Sequence, residues 1–377
     1  MHCSDGQEWG HAARLNCVQS YGAIKNHNSR PGEMMKKIAA TPCSKRDKPA
    51  RQTGLRSLSM LAAAMMLAAL SAPLHAQIKP KVALSSNVGQ PVYVGWEKLA
   101  EGAKAKTGGR VDFALFAGLQ LGGELEAAEK IKLGAIEAGS ITSSVFASWI
   151  PDVEVIDLPF LFRDEDHLLA SYPLLREKLA PKFDAQGFHL LGFTMAGPRH
   201  LVSRFPIRTI DDVKGKKMRV LQNPIHVATW KLLGANPTPL PAPEIYNAMQ
   251  TGVIDYFDFV KSSYYSLKFY EVGKYFTNTG HINALFTWVV SNAYWRRLSA
   301  ADRQAIDQLA AELAGPTHKA SVAYDDEALL KAVALGTQVY TVTDKEPWRK
   351  RMEPVWSNFI GSNAERRALV DSIQKVK

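Results

Sequence analysis

Polar and apolar residues alternate through 217–221, with Met218 and Val220 on one side and Lys217 and Arg219 on the other. A period of two predicts a short strand. Asn223-Pro224 follows and reads as a helix start, with Asn as the cap and Pro at the first helical position. Arg219 is therefore expected near a strand exit, beside a helix N-terminus. Both features suit an anion: a guanidinium fork and a row of unpaired backbone N–H groups.

Strand and helix patterns alternate along the rest of the chain. Strands are expected at 81–86, 111–116 and 138–145, and helices at 92–106 and 124–133, stopped by Gly108-Gly109 and Gly134. That order predicts a parallel α/β sheet, whose ligands bind beyond the carboxyl ends of the strands. The hydroxyls of Ser140, Thr142, Ser143 and Ser144 at the third strand's exit are candidate contacts, or simple strand-end caps. The apolar run 153–162, broken by Pro159, reads as a buried connector under a cleft. A helix is expected at 164–183, and 192–199 leads through Gly197-Pro198-Arg199 into a second domain. Helices at 224–233 and 244–250 and a strand near 253–257 follow. An aromatic-rich helix at 264–276 and a returning strand at 284–291 come next. Ser299-x-x-Asp302 matches a capping box, and an amphipathic pattern continues to about Val333. Gly315-Pro316 interrupts it, so a kink or break is expected there. The tail from 339 to 377 reads as a short strand and one or two helices. The lobes are expected at 77–196 plus about 285–324, and at 197–284 plus about 325–377, with the long helix as a strut.

Composition narrows the class. The chain has 377 residues, of which 46% are hydrophobic, enough for one large or two medium domains. Its net charge of +10 is uneven: residues 1–76 hold ten Lys/Arg against four Asp/Glu, a net of +6, which leaves +4 for the remainder. So small a surplus does not point to nucleic acid. Lys45, Arg46, Lys48, Arg51 and Arg56 precede an apolar run at 58–70, too short for a confident bilayer span, and a small-residue cleavage site ends at Ala76. Residues 1–76 are expected to be a leader with a signal peptide, or an uncleaved anchor, with Met34, Met35 or Met60 as alternative starts. Cys3, Cys17 and Cys43 all fall in it. An exported chain from residue 77 has no disulfide, thiolate metal site or Cys nucleophile. These features point to a soluble, monomeric protein of the periplasm.

Enzyme signatures are missing: no G-x-S-x-G, H-E-x-x-H, P-loop or G-x-G-x-x-G occurs. His167, His189, His200, His226, His281 and His318 show no metal-ligand spacing, so no catalytic residue, metal or cofactor is expected.

The motifs K-G-K-K-M-R-V, L-G-A-N-P-T-P-L, E-I-Y-N-A-M-Q-T-G-V-I-D and K-F-Y-E-V-G-K-Y-F occur in that order, flanked by F-A-G-L-Q-L-G-G-E-L-E, I-D-L-P-F-L-F, G-P-R-H and V-V-S-N-A-Y-W. Together they resemble the solute-binding proteins of TRAP transporters, of the C4-dicarboxylate-binding type, over nearly all of residues 79–370. The resemblance implies a two-lobed periplasmic binding protein fold, α/β, with two sheets flanked by helices, closing around an organic acid. It implies Arg219 as the carboxylate clamp and Arg199 as a second contact. It also implies delivery of the ligand to a permease of small and large membrane subunits. A sensor that presents its ligand to a signalling receptor is the alternative. Glu124, Asn223, Asp258 and Ser143 are further candidate contacts. Phe259 stands at a frequently polar position of the family, and Ala284 where many relatives carry Asn. The cleft is therefore expected to be more apolar, with Trp149, Phe259, Phe286 and Trp288 as candidate walls. The acid stays open: dicarboxylate, sugar acid, keto acid or aromatic acid.

Overall fold

Residues 79–377 are described by the computed structural model; the expected leader, its cleavage site and the three cysteines lie outside them. Two parallel arms are built by strand–helix alternation. In the first, β1 (Lys81–Leu84) pairs in parallel with β2 (Ala114–Phe116) and β3 (Ala138–Thr142). The crossovers are α1 (Pro91–Lys106) and α2 (Glu124–Lys132). A turn region and α3 (Glu165–Ala185), capped by the Asp164 carboxylate on His167 N at 2.7 Å, lead to β4 (Phe188–Ser203). In the second arm β5 (Lys217–Val220) lies parallel between β6 (Asn236–Pro239) and β7 (Tyr256–Phe259), with α4 (Pro224–Leu232) and α5 (Ile245–Thr251) as crossovers.

With β8 (Tyr275–Ser291), the two expected sheets are one hydrogen-bonded sheet of order β2-β1-β3-β8-β4-β7-β5-β6. The join is the antiparallel pair of β4 and β8, 16 and 17 residues long, which runs through both arms. The first half of each strand serves one arm and the second half the other. Local alternation cannot show this, because the pattern is the same whichever neighbour the strand pairs with. Bulges fall at Met195/Gly197 and Arg199/Leu201, and such irregularities re-aim side chains. Gly197 has φ +135, and a Cβ there would meet Val260 Cβ at 3.0 Å.

The aromatic helix expected at 264–276 is not formed. Instead, α6 (Lys261–Ser266) ends where Lys268 takes φ 56, a single turn follows at Phe269–Glu271, and Tyr275 already belongs to β8. Tyr264, Phe269 and Phe276 are buried together in the second arm's core. The strand expected at 284–291 is the last part of β8. After a short α7 (Asn292–Trp295), α8 (Ala300–Ala334) runs for 35 residues, straight through Gly315-Pro316 without a break. Ser299 Oγ accepts from Asp302 N at 3.1 Å. The reciprocal half of the capping box is replaced, because the Asp302 carboxylate takes Arg110 at 2.7 and 3.2 Å. Packing sustains so long a helix: α8 lies against α1, β4 and α6. The chain closes with β9 (Gln338–Thr341) on β8, then α9 (Glu346–Ile360) and α10 (Ala364–Gln374).

Each arm has its own core. Trp96 and Trp288 pack 5.1 Å apart in the first, and Trp230 and Tyr256 5.8 Å apart in the second. Trp288 is thus plain core, not a cleft wall.

Asp325 on α8 reaches under the Gly197 bend. One oxygen accepts from Ser262 N at 2.8 Å; the other is buried without a partner. Burial pushes this carboxyl up to about 6. A folded-state pKa above the ordinary 3.8 means the favourable, protonated form is fully present below that value and is lost as pH rises through 6. Asp325→Asn keeps an acceptor and removes the charge. It should therefore stabilise the protein by about 2–3 kcal/mol at pH 8 and change little at pH 4, as read by urea denaturation at the two pH values.

Candidate functional site

Met218 and Val220 of β5 fill the apolar core beside Trp230 and Tyr256. Strand alternation turns Arg219 the other way, yet its side chain is only 2% exposed. Its Nε donates to Leu240 O at 2.8 Å, and Nη1 is buried with no partner. No carboxylate among the described residues lies within ion-pair distance. Burial, and next the positive charge of Arg199, pull its pKa down to about 9, so it remains protonated at neutral pH. A buried cation without a counter-charge is costly, and an anion from outside would offset that cost.

Arg199 enters from β4 beside a bulge and is 4% exposed. It differs from Arg219 in being paired. Its Nε donates to Asp258 Oδ2 at 2.7 Å, and its Nη2 to Asp258 O at 2.7 Å and Oδ1 at 2.8 Å. His281 Nε2 lies 3.2 Å from Asp258 Oδ2. Burial opposes the charge on Asp258, but Arg199 and His281 outweigh it and hold the carboxyl well below its ordinary range. Both arginines reach the Phe259 ring, whose centroid is 5.6 Å from Arg199 Cζ and 5.9 Å from Arg219 Cζ.

Glu124 opens α2 and faces the arginines from the first arm. Its Oε1 accepts from Ser85 Oγ at 2.6 Å, Thr142 N at 2.9 Å and Thr142 Oγ1 at 2.7 Å, tying together the exits of β1 and β3. Arg219, Arg199, Glu124, Phe259 and Phe286 line one cavity, as do Thr142 and Ser85. It sits beyond the strand ends of both arms, where parallel sheets bind ligands.

The other sequence candidates lie elsewhere. Asn223 is the expected N-cap: its Oδ1 accepts from Ile225 N at 2.8 Å, while Nδ2 donates to Ser144 O at 2.9 Å and ties the arms together. Ser143 Oγ donates to Leu285 O at 3.1 Å and pairs with Thr287 Oγ1 at 2.8 Å, a strand-end cap. Trp149 packs on Phe146 and Phe188 at the core's edge, with Lys132 Nζ 5.2 Å from its ring. Asp258 is 0% exposed and sits behind Arg199, outside the cavity lining. Ser85, Leu119, Ser263 and Leu267 line the cavity and were not anticipated. Ser85 follows directly on β1, so the strand-exit rule that singled out 140–144 would have found it. Ser263 lies just before the helix expected at 264–276 and Leu267 within it, and no pattern marks either as a cavity residue.

A larger groove runs between α3, β4 and α8. Its Arg176 and His189 both pair with Asp307, at 2.8 and 3.0 Å, so it offers no comparable unpaired charge.

A cleft at the strand ends of two α/β arms, holding a buried guanidinium with no carboxylate partner among the described residues, has the form of a site for a small anion. The model of the family described as bacterial extracellular solute-binding protein, family 7, matches residues 83–362, and the chain belongs to that family. A solute-binding protein of Verminephrobacter eiseniae is 31% identical over 75% of this chain and 85% of its own length. The sialic acid-binding periplasmic protein of Vibrio cholerae is 27% identical over 81% of this chain and 95% of its own. A TRAP periplasmic solute-binding protein from Citrobacter koseri, solved with D-glucuronate, superposes with a TM-score of 0.75 at 31% identity, covering 79% of this chain and 99% of that one. One from Xanthobacter autotrophicus, solved with β-D-galacturonate, gives 0.75 at 27% identity over 79% and 100%. The α/β fold and TRAP solute-binding class implied by the motifs are thus borne out, and the family is one of solute-binding proteins.

Proposed function

We propose that this protein captures an organic acid by its carboxylate on Arg219, in the periplasm, and delivers it to the small and large membrane subunits of a TRAP permease. The observation that carries the reading is the buried, unpaired guanidinium of Arg219 in a cleft built from both arms. The relatives supply independent support: those solved with D-glucuronate, β-D-galacturonate and D-erythronate, and the one named for 2,3-diketo-L-gulonate, have ligands that share a carboxylate. Lobe I comprises 77–196 plus about 285–324 and lobe II 197–284 plus about 325–377, and they close on the ligand with α8 as the strut. Arg199 holds Asp258 in place and presents its outer edge to the cleft, while Glu124 receives a ligand hydroxyl or steers the arginines.

The test is a thermal-shift screen of the purified protein against organic acids, with Arg219→Ala as the control. A ligand at a hundred times its dissociation constant adds about 2.7 kcal/mol of stability. A shift with one class of acid, lost in the variant, is the expected result; a shift of the same size in both proteins would sink the assignment of Arg219. Closure predicts in addition a smaller radius of gyration in solution scattering with ligand present. Superimposable curves would rule closure out.

A further inference from the structure

The cleft combines one unpaired positive charge with walls that are mostly apolar. We infer that its ligand is a monocarboxylate with an apolar body, and neither a dicarboxylate nor a polyhydroxylated sugar acid. This rests on the carboxylate-binding reading above and specifies its substrate class.

Charge argues first. Among the described residues lining the cavity the cations are Arg199 and Arg219, and the anion is Glu124. Arg199 is already neutralised by Asp258 through bonds of 2.7 and 2.8 Å. A first carboxylate on Arg219 meets a cation that has no partner. A second one near Arg199 would confront both the Asp258 and Glu124 carboxylates at short range and in low dielectric, where like charges repel strongly.

Polarity argues next. Leu119, Leu221, Phe259, Leu267 and Phe286 form the walls. Of the lining hydroxyls, Ser85 and Thr142 give their protons to Glu124 at 2.6 and 2.7 Å and have none left to donate to a ligand oxygen. Ser263, the second oxygen of Glu124 and the outer edge of Arg199 stay open, enough for one or two hydroxyl or oxo groups beside the carboxylate. A hexuronate brings several hydroxyls, and each one buried without a partner forfeits its hydrogen bonds to water. Phe259 is the main cause, since its ring lines the cavity 5.6 and 5.9 Å from the two guanidinium carbons and offers them an apolar neighbour.

The experiment titrates the purified protein, stripped of any co-purified ligand, with 4-methylpentanoate, succinate and D-glucuronate by calorimetry. The expected result is that 4-methylpentanoate binds at least about tenfold more tightly than either of the others. Equal or tighter binding of succinate or glucuronate overturns the class while leaving Arg219 a carboxylate site. Failure of all three overturns both. Two variants probe the cause. Glu124→Gln keeps the hydrogen-bond acceptor and should shift the succinate to 4-methylpentanoate affinity ratio toward succinate by about tenfold. Phe259→Asn should shift the glucuronate ratio likewise. Unchanged ratios in folded variants overturn the charge and wall arguments respectively.

Discussion

Arg219→Ala will lower the affinity for the bound acid by about a hundredfold or more, without unfolding the protein. The guanidinium gives its Nε to Leu240, while its buried Nη1 has no partner among the described residues. Two charge-assisted hydrogen bonds at about 1.5–3 kcal/mol each amount to that loss. Arg219→Lys should rescue little, because an ammonium cannot present a planar pair of donors. The ligand-free protein should respond in the opposite direction. Arg219 is a desolvated cation with no counter-charge, its pKa pulled down to about 9. Arg219→Met, similar in length and uncharged, should leave the apo melting temperature unchanged or raise it. Calorimetric titration and apo melting, read on the same variant, separate the two effects. A large drop in apo stability would mean that Arg219 is structural and that the unpaired nitrogen has a partner in solution.

The second large effect concerns the arginine that looks similar and is not. Asp258→Ala should cost about 3–5 kcal/mol of folding stability, since it strands a buried Arg199. Asp258→Leu combined with Arg199→Met should recover most of that loss, because removing both charges leaves neither one unpaired. The pH dependence follows from the depressed pKa of Asp258. A folded pKa below the unfolded value gives stability that is present above pH 3.8 and is lost as the pH falls from there through the folded value. This is the reverse of Asp325, which gains on acidification. Denaturation of wild type and Asp258→Asn from pH 7 down to pH 2 checks it: the gap between them should narrow only at the acid end. A pH-independent gap, or one below about 1 kcal/mol at pH 7, would show that the pair anchors nothing.

Much of this site was legible in the chain because its determinants are local. Alternation at 217–221 marked β5, and Asn223-Pro224 marked the start of α4 to the residue. Those two facts placed Arg219 at a strand end with no reference to any other part of the chain. The rule that parallel strands expose their carboxyl ends likewise pointed at Thr142. Where local signals were ambiguous, the reading slipped. The aromatics Tyr265 and Phe269 stand at helical spacing, but the left-handed Lys268, which ends the helix, has no signature in its residue type. Gly315-Pro316 reads as a break, yet α8 continues because packing along it against α1, β4 and α6 outweighs one lost hydrogen bond.

The sequence by itself determined the strand–helix order, the helix caps, the family motifs and the arginine at the end of β5. Only the tertiary structure decided which arginine is free. Arg199 and Asp258 are 59 residues apart, and they meet because β4 pairs with β7 in the register His200↔Phe259 and Leu201↔Asp258, with a bulge at Arg199. That register spends the charge of Arg199, brings Phe259 within reach of both guanidinium groups and leaves Arg219 with no carboxylate partner among the described residues. No local period encodes it, because alternation specifies which face a side chain takes and not which distant strand it will face.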